Sequence, residues 1–201
     1  MKKILFSVLP VAVLAVMTLR PATEPLPLGS PIPNPGIKMK DISGKEVSLE
    51  EAKTTKGLLV MFSCNTCPYV IKNQGRAYEA CKYAQGNGIG VAILNSNEAL
   101  RGDEDSYDAM KNYAKEQDYN WYYLVDNKSS LADAFGANRT PECFLFDQNG
   151  KLVYHGAIDD NPSDPSSVSR KHLISAIDEM KAGKEISVKE SRSVGCSIKR
   201  Q

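Results

Sequence analysis

The sequence predicts an α/β fold in which a central mixed sheet is flanked by helices. Short apolar runs with the length of buried strands alternate with longer segments of helical periodicity, which is typical of parallel β-α-β units. The last two apolar runs are separated by a short turn at residues 148–151, which indicates an antiparallel hairpin. Because the chain contains both kinds of connection, the sheet is predicted to be mixed.

The elements can be assigned in order. An N-terminal β-hairpin is indicated by alternating residues 37–41 and 46–49 on either side of a turn. Further strands are predicted at residues 58–62, 89–95, 121–126, 143–147 and 152–156. Helices are predicted at residues 48–52, from the Cys-x-x-Cys motif to about residue 85, and at 106–117, 129–135 and 168–182. Glycines just after two of these helices, Gly86 and Gly136, mark their ends.

Length and composition indicate one globular domain with extensions. The chain has 201 residues, 42% of them hydrophobic and 24% charged, with a net charge of +1. It contains no block of basic residues and no glycine-rich phosphate loop, so we expect no nucleic-acid partner.

The N-terminal residues predict an export signal. Two lysines precede an apolar stretch at residues 4–19, which is short for a membrane-spanning helix but suits a signal peptide. We interpret residues 1–20 as a signal peptide or, alternatively, an uncleaved membrane anchor. Residues 21–36 contain six prolines and are predicted to form an extended linker, which leaves residues 37–201 as the folded domain. In either case that domain is expected outside the cytoplasm, as in the periplasm.

Two cysteines follow the buried strand at residues 58–62. Cys64 and Cys67 are separated by two residues, at the point where the chain turns into a helix. The N–H groups and the positive dipole end of a helix N-terminus favour a thiolate. By position we expect Cys64 to start the helix and act as the nucleophile of thiol–disulfide exchange, with Cys67 one turn later as the resolving thiol.

Two other interpretations of the motif remain open. A zinc site would need two more ligands, but neither His155 nor His172 falls in a cluster with ligand spacing, so no metal and no cofactor is predicted. A purely structural disulfide is the second alternative.

Three segments resemble a known family. They are residues 62–70, residues 139–147 and residues 150–160, and the similarity extends over roughly residues 35–199. They resemble the thioredoxin-like superfamily, in particular the redoxin branch related to alkyl hydroperoxide reductase and thiol-specific antioxidant proteins. The ending Val194-Gly195-Cys196-Ser197-Ile198-Lys199 is also similar to one group of that branch.

The resemblance implies that the Thr140–Pro141 peptide bond is cis and faces the dithiol. The backbone of Thr140 would then be free to pair with a substrate chain as a short strand, so Thr140 and Pro141 are predicted to dock the substrate. A trans proline that starts an edge strand is the alternative.

The chain departs from the family pattern at three places. Ser63 stands where thioredoxins have a tryptophan, and the strand at residues 58–62 lacks their buried acid. We nominate Glu142 as an accessory proton acceptor, against the alternative of a solvated glutamate. The peroxiredoxin pattern Pro-x3-Thr-x2-Cys, laid on Cys67, meets Val60 and Cys64 instead of proline and threonine, which weakens a peroxidase interpretation.

The remaining cysteines are less informative. Cys81 is predicted to be a small core residue. Cys143 is either a packed strand residue or a thiol near the site. Cys196 lies in a tail that looks flexible, where it is either a second resolving cysteine or a lone thiol.

Three functional hypotheses follow. The first is an exported thiol–disulfide oxidoreductase that exchanges with protein disulfides or dithiols and is served by an upstream thiol donor. The second is a thiol-dependent peroxidase with antioxidant activity. The third is a binding module with a thioredoxin-like fold and a structural or metal-bound dithiol. Any contact with a membrane is expected only through the N-terminal segment.

Overall fold

The computed structural model describes residues 24–201. The strands are β1 (Met39–Lys40), β2 (Glu46–Val47), β3 (Leu58–Ser63), β4 (Gly90–Asn95), β5 (Tyr122–Val125), β6 (Arg139–Thr140), β7 (Glu142–Phe146), β8 (Leu152–Gly156) and β9 (Cys196–Ser197). The helices are α1 (Leu49–Ala52), α2 (Pro68–Gly86), α3 (Tyr107–Glu116), α4 (Ser130–Phe135) and α5 (His172–Lys181).

A five-stranded mixed sheet forms the centre of the domain, in the order β5-β4-β3-β7-β8. Strands β3, β4 and β5 run parallel, whereas β7 is antiparallel to both β3 and β8. The N-terminal hairpin of β1 and β2 is also present, though each strand is short. The predicted α/β class, mixed sheet and hairpin are therefore confirmed.

The side chains of the sheet alternate between two hydrophobic cores. In β3, Leu59 and Met61 face the core built with α2, α3 and α5. Leu58, Val60 and Phe62 face the opposite core, which includes α1, α4 and the hairpin. Successive strand residues point to opposite faces, so a strand covered on both sides must be apolar at every position. This explains the continuous apolar run that precedes the cysteines.

The last helix begins later than predicted, at His172 rather than at residue 168. The carboxylate of Asp160 accepts the backbone N–H groups of Ser169 and Arg170 at 3.0 Å each. These backbone groups are therefore engaged by a loop, and α5 starts only after them.

Part of the proline-rich segment is not a free linker. The N–H of Leu26 donates to the carbonyl of Phe135 at 2.9 Å, and that of Gly29 donates to the carbonyl of Leu152 at 2.8 Å. Ile32 is buried in the core that contains α4. The expectation of an extended linker outside the core is therefore wrong for residues 24–36, because their apolar side chains and unpaired amides find partners on the domain.

The predicted signal peptide or anchor at residues 1–20 lies outside the described residues. Between residues 24 and 201, no helix has both the length and the apolar character needed to cross a membrane.

The C-terminal tail is ordered by specific contacts and is not the flexible segment that its sequence suggests. Strand β9 pairs with β6, and Ile198 is buried. The N–H of Ile198 donates to the carbonyl of Asn138 at 3.1 Å, and the N–H of Lys199 donates to Oδ1 of Asn97 at 2.8 Å. The tail is thereby fixed across the carboxyl-terminal edge of the sheet, next to the loop that follows β4.

We predict that Phe62→Ala destabilises the fold by about 3–5 kcal/mol, because it leaves a cavity in the core. The Phe62 ring is fully buried, with its centroid 5.3 Å from that of Phe135 and 5.6 Å from that of Phe144. Urea unfolding measures the change. The exposed Ile37 supplies the control, since Ile37→Ala should alter the free energy of unfolding by less than about 0.5 kcal/mol. Equal losses in both variants would contradict this assignment of the core.

Candidate active site

The two cysteines of the motif lie between the end of β3 and the start of α2. Cys64 directly follows the last residue of β3, and both cysteines are buried, with exposed fractions of 1% for Cys64 and 5% for Cys67. The parallel strand β4 ends beside β3, so the loop that leaves β4 comes to the same edge. The sheet therefore positions the dithiol where loops from several strands converge.

Cys67, and not Cys64, stands at the N-terminus of the helix. The helix begins at Pro68 with Cys67 as its N-cap, in an extended conformation with φ −60° and ψ 125°. A proline disfavours helical geometry in the residue before it but suits the first position of a helix. The expectation that Cys64 starts the helix and Cys67 lies one turn inside is therefore wrong, and Pro68 is the reason.

Thr140 contacts both sulfur atoms. Its hydroxyl Oγ1 lies 3.4 Å from Sγ of Cys64, and its carbonyl oxygen lies 3.4 Å from Sγ of Cys67. The Thr140–Pro141 peptide bond is cis, as the resemblance implies. The structure thus brings together four of the predicted site residues: Cys64, Cys67, Thr140 and Pro141.

A third thiol, that of Cys196, belongs to the same cluster. Strand β9 pairs antiparallel with β6 so that Cys196 stands opposite Thr140, and Cys196 packs against the core that contains Cys64 and Cys67. Cys196 is partly exposed, unlike the other two. The backbone edge of Thr140 that we expected to receive a substrate strand is therefore occupied by the chain's own tail.

Close packing at Gly195 holds the tail in this position. A β-carbon at Gly195 would lie 2.0 Å from the carbonyl oxygen of Thr140, which is closer than any side chain tolerates. Glycine is therefore the residue that allows the two backbones to approach each other.

The three thiols do not share their protons equally. The pKa of Cys67 lies well below its ordinary value, chiefly through hydrogen bonding with the Cys64 thiol and further through the Cys196 thiol, although burial opposes the shift. The pKa of Cys64 is raised, because its proton is held by Cys67 and because the side chain is buried. Cys67 is therefore the thiolate of the cluster.

Asp105 is a buried carboxylate that sequence reasoning missed. Its Oδ1 accepts the backbone N–H of Asn65 at 2.9 Å and the side-chain amide of Asn95 at 2.6 Å, and its charge adds to the raised pKa of Cys64. Asp105 ends the polar loop that follows β4. The position of this loop, directly after a buried strand, is the sequence feature that could have indicated a side chain close to the dithiol. The acid lies on this loop and not in the strand before the dithiol.

Glu142 is buried, but it serves the turn rather than the sulfurs. Its Oε2 accepts the backbone N–H groups of Asn138 and Arg139 at 2.8 and 2.9 Å, and its Oε1 lies 2.7 Å from Nε2 of His155. The alternative of a solvated glutamate is wrong. These contacts fix the segment that leads into the cis peptide bond, and they give Glu142 a positioning role.

The other two cysteines are fully buried in the core on the α2 side of the sheet. Cys81 is the core residue that was predicted. Cys143 lies in β7 opposite Met61, so the packed-strand alternative is the correct one. Within residues 24–201, His, Cys, Asp and Glu side chains form no group of three or more that could hold a metal ion.

Comparisons with known proteins agree with this architecture. The Redoxin family model matches residues 27–171. A hypothetical protein from Sinorhizobium meliloti has 32% identity and a TM-score of 0.80, over 89% of this chain and 97% of the other. An uncharacterized conserved protein from Geobacillus kaustophilus has 34% identity and a TM-score of 0.77, over 87% and 93%.

A more distant structure supports the fold alone. The thioredoxin domain of a thiol-disulfide oxidoreductase from Bacteroides vulgatus has 22% identity and a TM-score of 0.53, over 65% of this chain and 88% of that domain. The thioredoxin-like fold is thus confirmed. A search of curated proteins found no match.

We predict that the ultraviolet absorbance of a thiolate persists from neutral to mildly acidic pH and is lost in Cys67→Ser. The lowered pKa of Cys67 keeps its thiolate populated below the ordinary titration range of a thiol, and acidification through the lowered pKa removes it. In Cys64→Ala the pKa of Cys67 should rise toward its ordinary value, because the main hydrogen-bond donor is gone.

The control for this titration is Cys81→Ala. Burial raises the pKa of Cys81 to about 12, so this thiol contributes no thiolate at neutral pH and its loss should leave the absorbance unchanged. Retention of the full signal in Cys67→Ser would contradict the assignment.

Proposed function

The chain belongs to the redoxin family, and we propose that it is a thiol–disulfide oxidoreductase whose redox couple is the Cys64–Cys67 dithiol and its disulfide. The observation that carries this proposal is that the two buried sulfurs meet at Thr140, each 3.4 Å from one of its oxygen atoms, with Cys67 at the N-terminus of α2 and its pKa lowered. A low-pKa thiolate beside a second thiol is the arrangement that exchange requires, since the first attacks a disulfide and the second releases it.

The roles of the two cysteines follow from this geometry. The Cys67 thiolate attacks one sulfur of a disulfide, a Cys67–substrate bond forms, and the other substrate sulfur leaves as a thiolate. Cys64 then loses its proton and attacks Sγ of Cys67, which forms the Cys64–Cys67 disulfide and releases the second substrate thiol. Two electrons and two protons pass to the substrate, and the reverse sequence oxidises a dithiol. This order reverses the roles expected from the sequence.

The neighbouring residues keep the two sulfurs in place. Asn65 is anchored by Asp105 through its backbone N–H and by Tyr123, whose hydroxyl donates to its side-chain oxygen at 2.8 Å. Thr140 covers both sulfurs from the opposite side. A dithiol held in this way loses little conformational freedom when it closes to a disulfide, so exchange is favoured.

We propose protein disulfides or dithiols as substrates, an upstream thiol donor, and a site of action outside the cytoplasm. The export signal or membrane anchor predicted at residues 1–20 supports this location, and an extracytoplasmic compartment is one in which disulfides persist.

Cell fractionation tests this location. The protein should appear in the periplasmic or membrane fraction, and a variant without residues 1–20 should remain in the cytoplasm. Cytoplasmic accumulation of the full chain would contradict export.

A peroxidase is the second candidate, and the position of Cys67 favours it. This cysteine combines a helix N-terminus with a lowered pKa, which is how a thiolate that reacts with peroxide is stabilised. However, Val60 and Cys64 replace the polar pattern expected around such a cysteine. Arg76, on the same helix, is already engaged, because its guanidinium donates to the carboxylate of Asp159 and to the carbonyl oxygen of Asn161. Thiol-dependent consumption of hydrogen peroxide faster than disulfide exchange would favour this candidate.

The exchange proposal is tested with single variants and a quenched, disulfide-linked fluorescent peptide. Wild type should reduce it with dithiothreitol as donor, and Cys67→Ser should lose essentially all of this activity, because the attacking sulfur is gone. Cys64→Ser should accumulate a disulfide at Cys67, because the serine that replaces Cys64 cannot attack that bond. Acid quenching followed by peptide mapping detects this species. Cys143→Ala is the control, since this cysteine is fully buried in β7, opposite Met61. Wild-type turnover by the Cys64→Ser/Cys67→Ser double variant would refute the proposal.

A further inference from the structure

The tail that carries Cys196 occupies the place where a substrate strand would bind. Cys196 pairs with Thr140, the residue before the cis-proline, and the Cys67 sulfur lies 3.4 Å from the carbonyl oxygen of that same threonine. Cys196 also packs against the hydrophobic core that contains Cys64 and Cys67. The tail therefore places a thiol of the protein's own chain, that of Cys196, where a substrate thiol would otherwise lie.

Exposure distinguishes the three sulfurs. Cys64 and Cys67 are 1% and 5% exposed, whereas Cys196 is partly exposed. A protein disulfide cannot align with the backbone of Thr140 while β9 is paired there. The direct attack of Cys67 on a substrate that is described above therefore requires the tail to detach first, with loss of the hydrogen bonds that Ile198 and Lys199 make. An exchange through Cys196 needs no such step.

We propose that Cys196 is a third catalytic thiol, which relays the disulfide between the buried Cys64–Cys67 pair and external thiols. This proposal rests on the oxidoreductase function given above. It adds a Cys67–Cys196 disulfide as an intermediate and assigns the tail the role of a built-in exchange partner.

The relay balances in three steps. In the oxidised protein, the Cys196 thiol loses its proton and attacks Sγ of Cys67, so the Cys67–Cys196 bond forms and Cys64 leaves and takes up a proton. An external thiol then attacks Sγ of Cys196, which forms a mixed disulfide and releases the Cys67 thiolate. A second external thiol attacks that mixed disulfide, which yields an external disulfide and restores the Cys196 thiol. The reverse sequence reduces an external disulfide.

The electrostatics of the cluster suit the second step. A thiol with a low pKa leaves faster from a disulfide than one with an ordinary pKa. Cys67, at the N-terminus of α2, becomes that leaving group, and its pKa is lowered. External attack is therefore directed to the Cys196 sulfur, the more exposed atom of the pair.

The first experiment looks for the intermediate. Cys64→Ser, oxidised with one equivalent of diamide, acid-quenched and alkylated, should give a peptide pair linked between residues 67 and 196 in most molecules. Unlinked monomer or an intermolecular dimer as the main product would overturn the relay.

Gly195→Ala in the same background should abolish the link, because the added β-carbon displaces the tail from Thr140. An undiminished link in that variant would overturn the role of strand pairing.

The second experiment measures the rate at which reduced glutathione reduces the oxidised protein. Cys196→Ser should slow this reaction by about tenfold or more, since the exposed entry point is lost. Ser197→Ala, an exposed neighbour on β9, is the matched control and should retain the wild-type rate. A wild-type rate in Cys196→Ser together with loss of exchange in Cys67→Ser would overturn the relay alone. Absence of exchange in the wild type would overturn the oxidoreductase function and the relay with it.

Discussion

The chemistry of this site depends on one backbone constraint, the proline that follows Cys67. Because Pro68 excludes helical geometry at the residue before it, α2 begins one residue after the second cysteine. Cys67 then stands at the N-cap of the helix with a lowered pKa, while Cys64 remains in the loop with a raised pKa.

The sheet and its loops hold the motif against this helix end. Strand β3 packs against a hydrophobic core on each face, and this packing fixes the position of Cys64 at the end of the strand. The loop after β4 brings Asp105 beneath Asn65, and the turn braced by Glu142 brings Thr140 above both sulfurs. The buried carboxylates of Asp105 and Glu142 both accept hydrogen bonds, as burial requires. The result is a rigid dithiol between two loops and a helix end.

The C-terminal tail changes how such a site can be used. A free strand edge beside the cis-proline would receive a substrate chain, but here β9 occupies that edge through Cys196. A substrate strand therefore cannot pair directly with this edge. The residue that occupies the edge, Cys196, carries a partly exposed thiol. Burial protects the low-pKa thiolate of Cys67 from unspecific oxidation, while the relay that we propose keeps it connected to external thiols.

The sequence by itself determined the α/β class, the mixed sheet, the hairpin and the pair Cys64 and Cys67, because these depend on local periodicity and on spacing along the chain. It also marked Thr140 and Pro141 through a resemblance. Only the tertiary structure decided that Asp105 binds the backbone of Asn65, that Glu142 braces a turn, and that Cys196 pairs with Thr140. Those contacts join residues that are distant in the chain, and no local pattern records which loop or tail will pair with a strand edge. The roles of the two cysteines depended on both sources. Pro68 is visible in the sequence, but the lowered pKa of Cys67 depends on the positions of the helix and the tail, which only the tertiary structure shows.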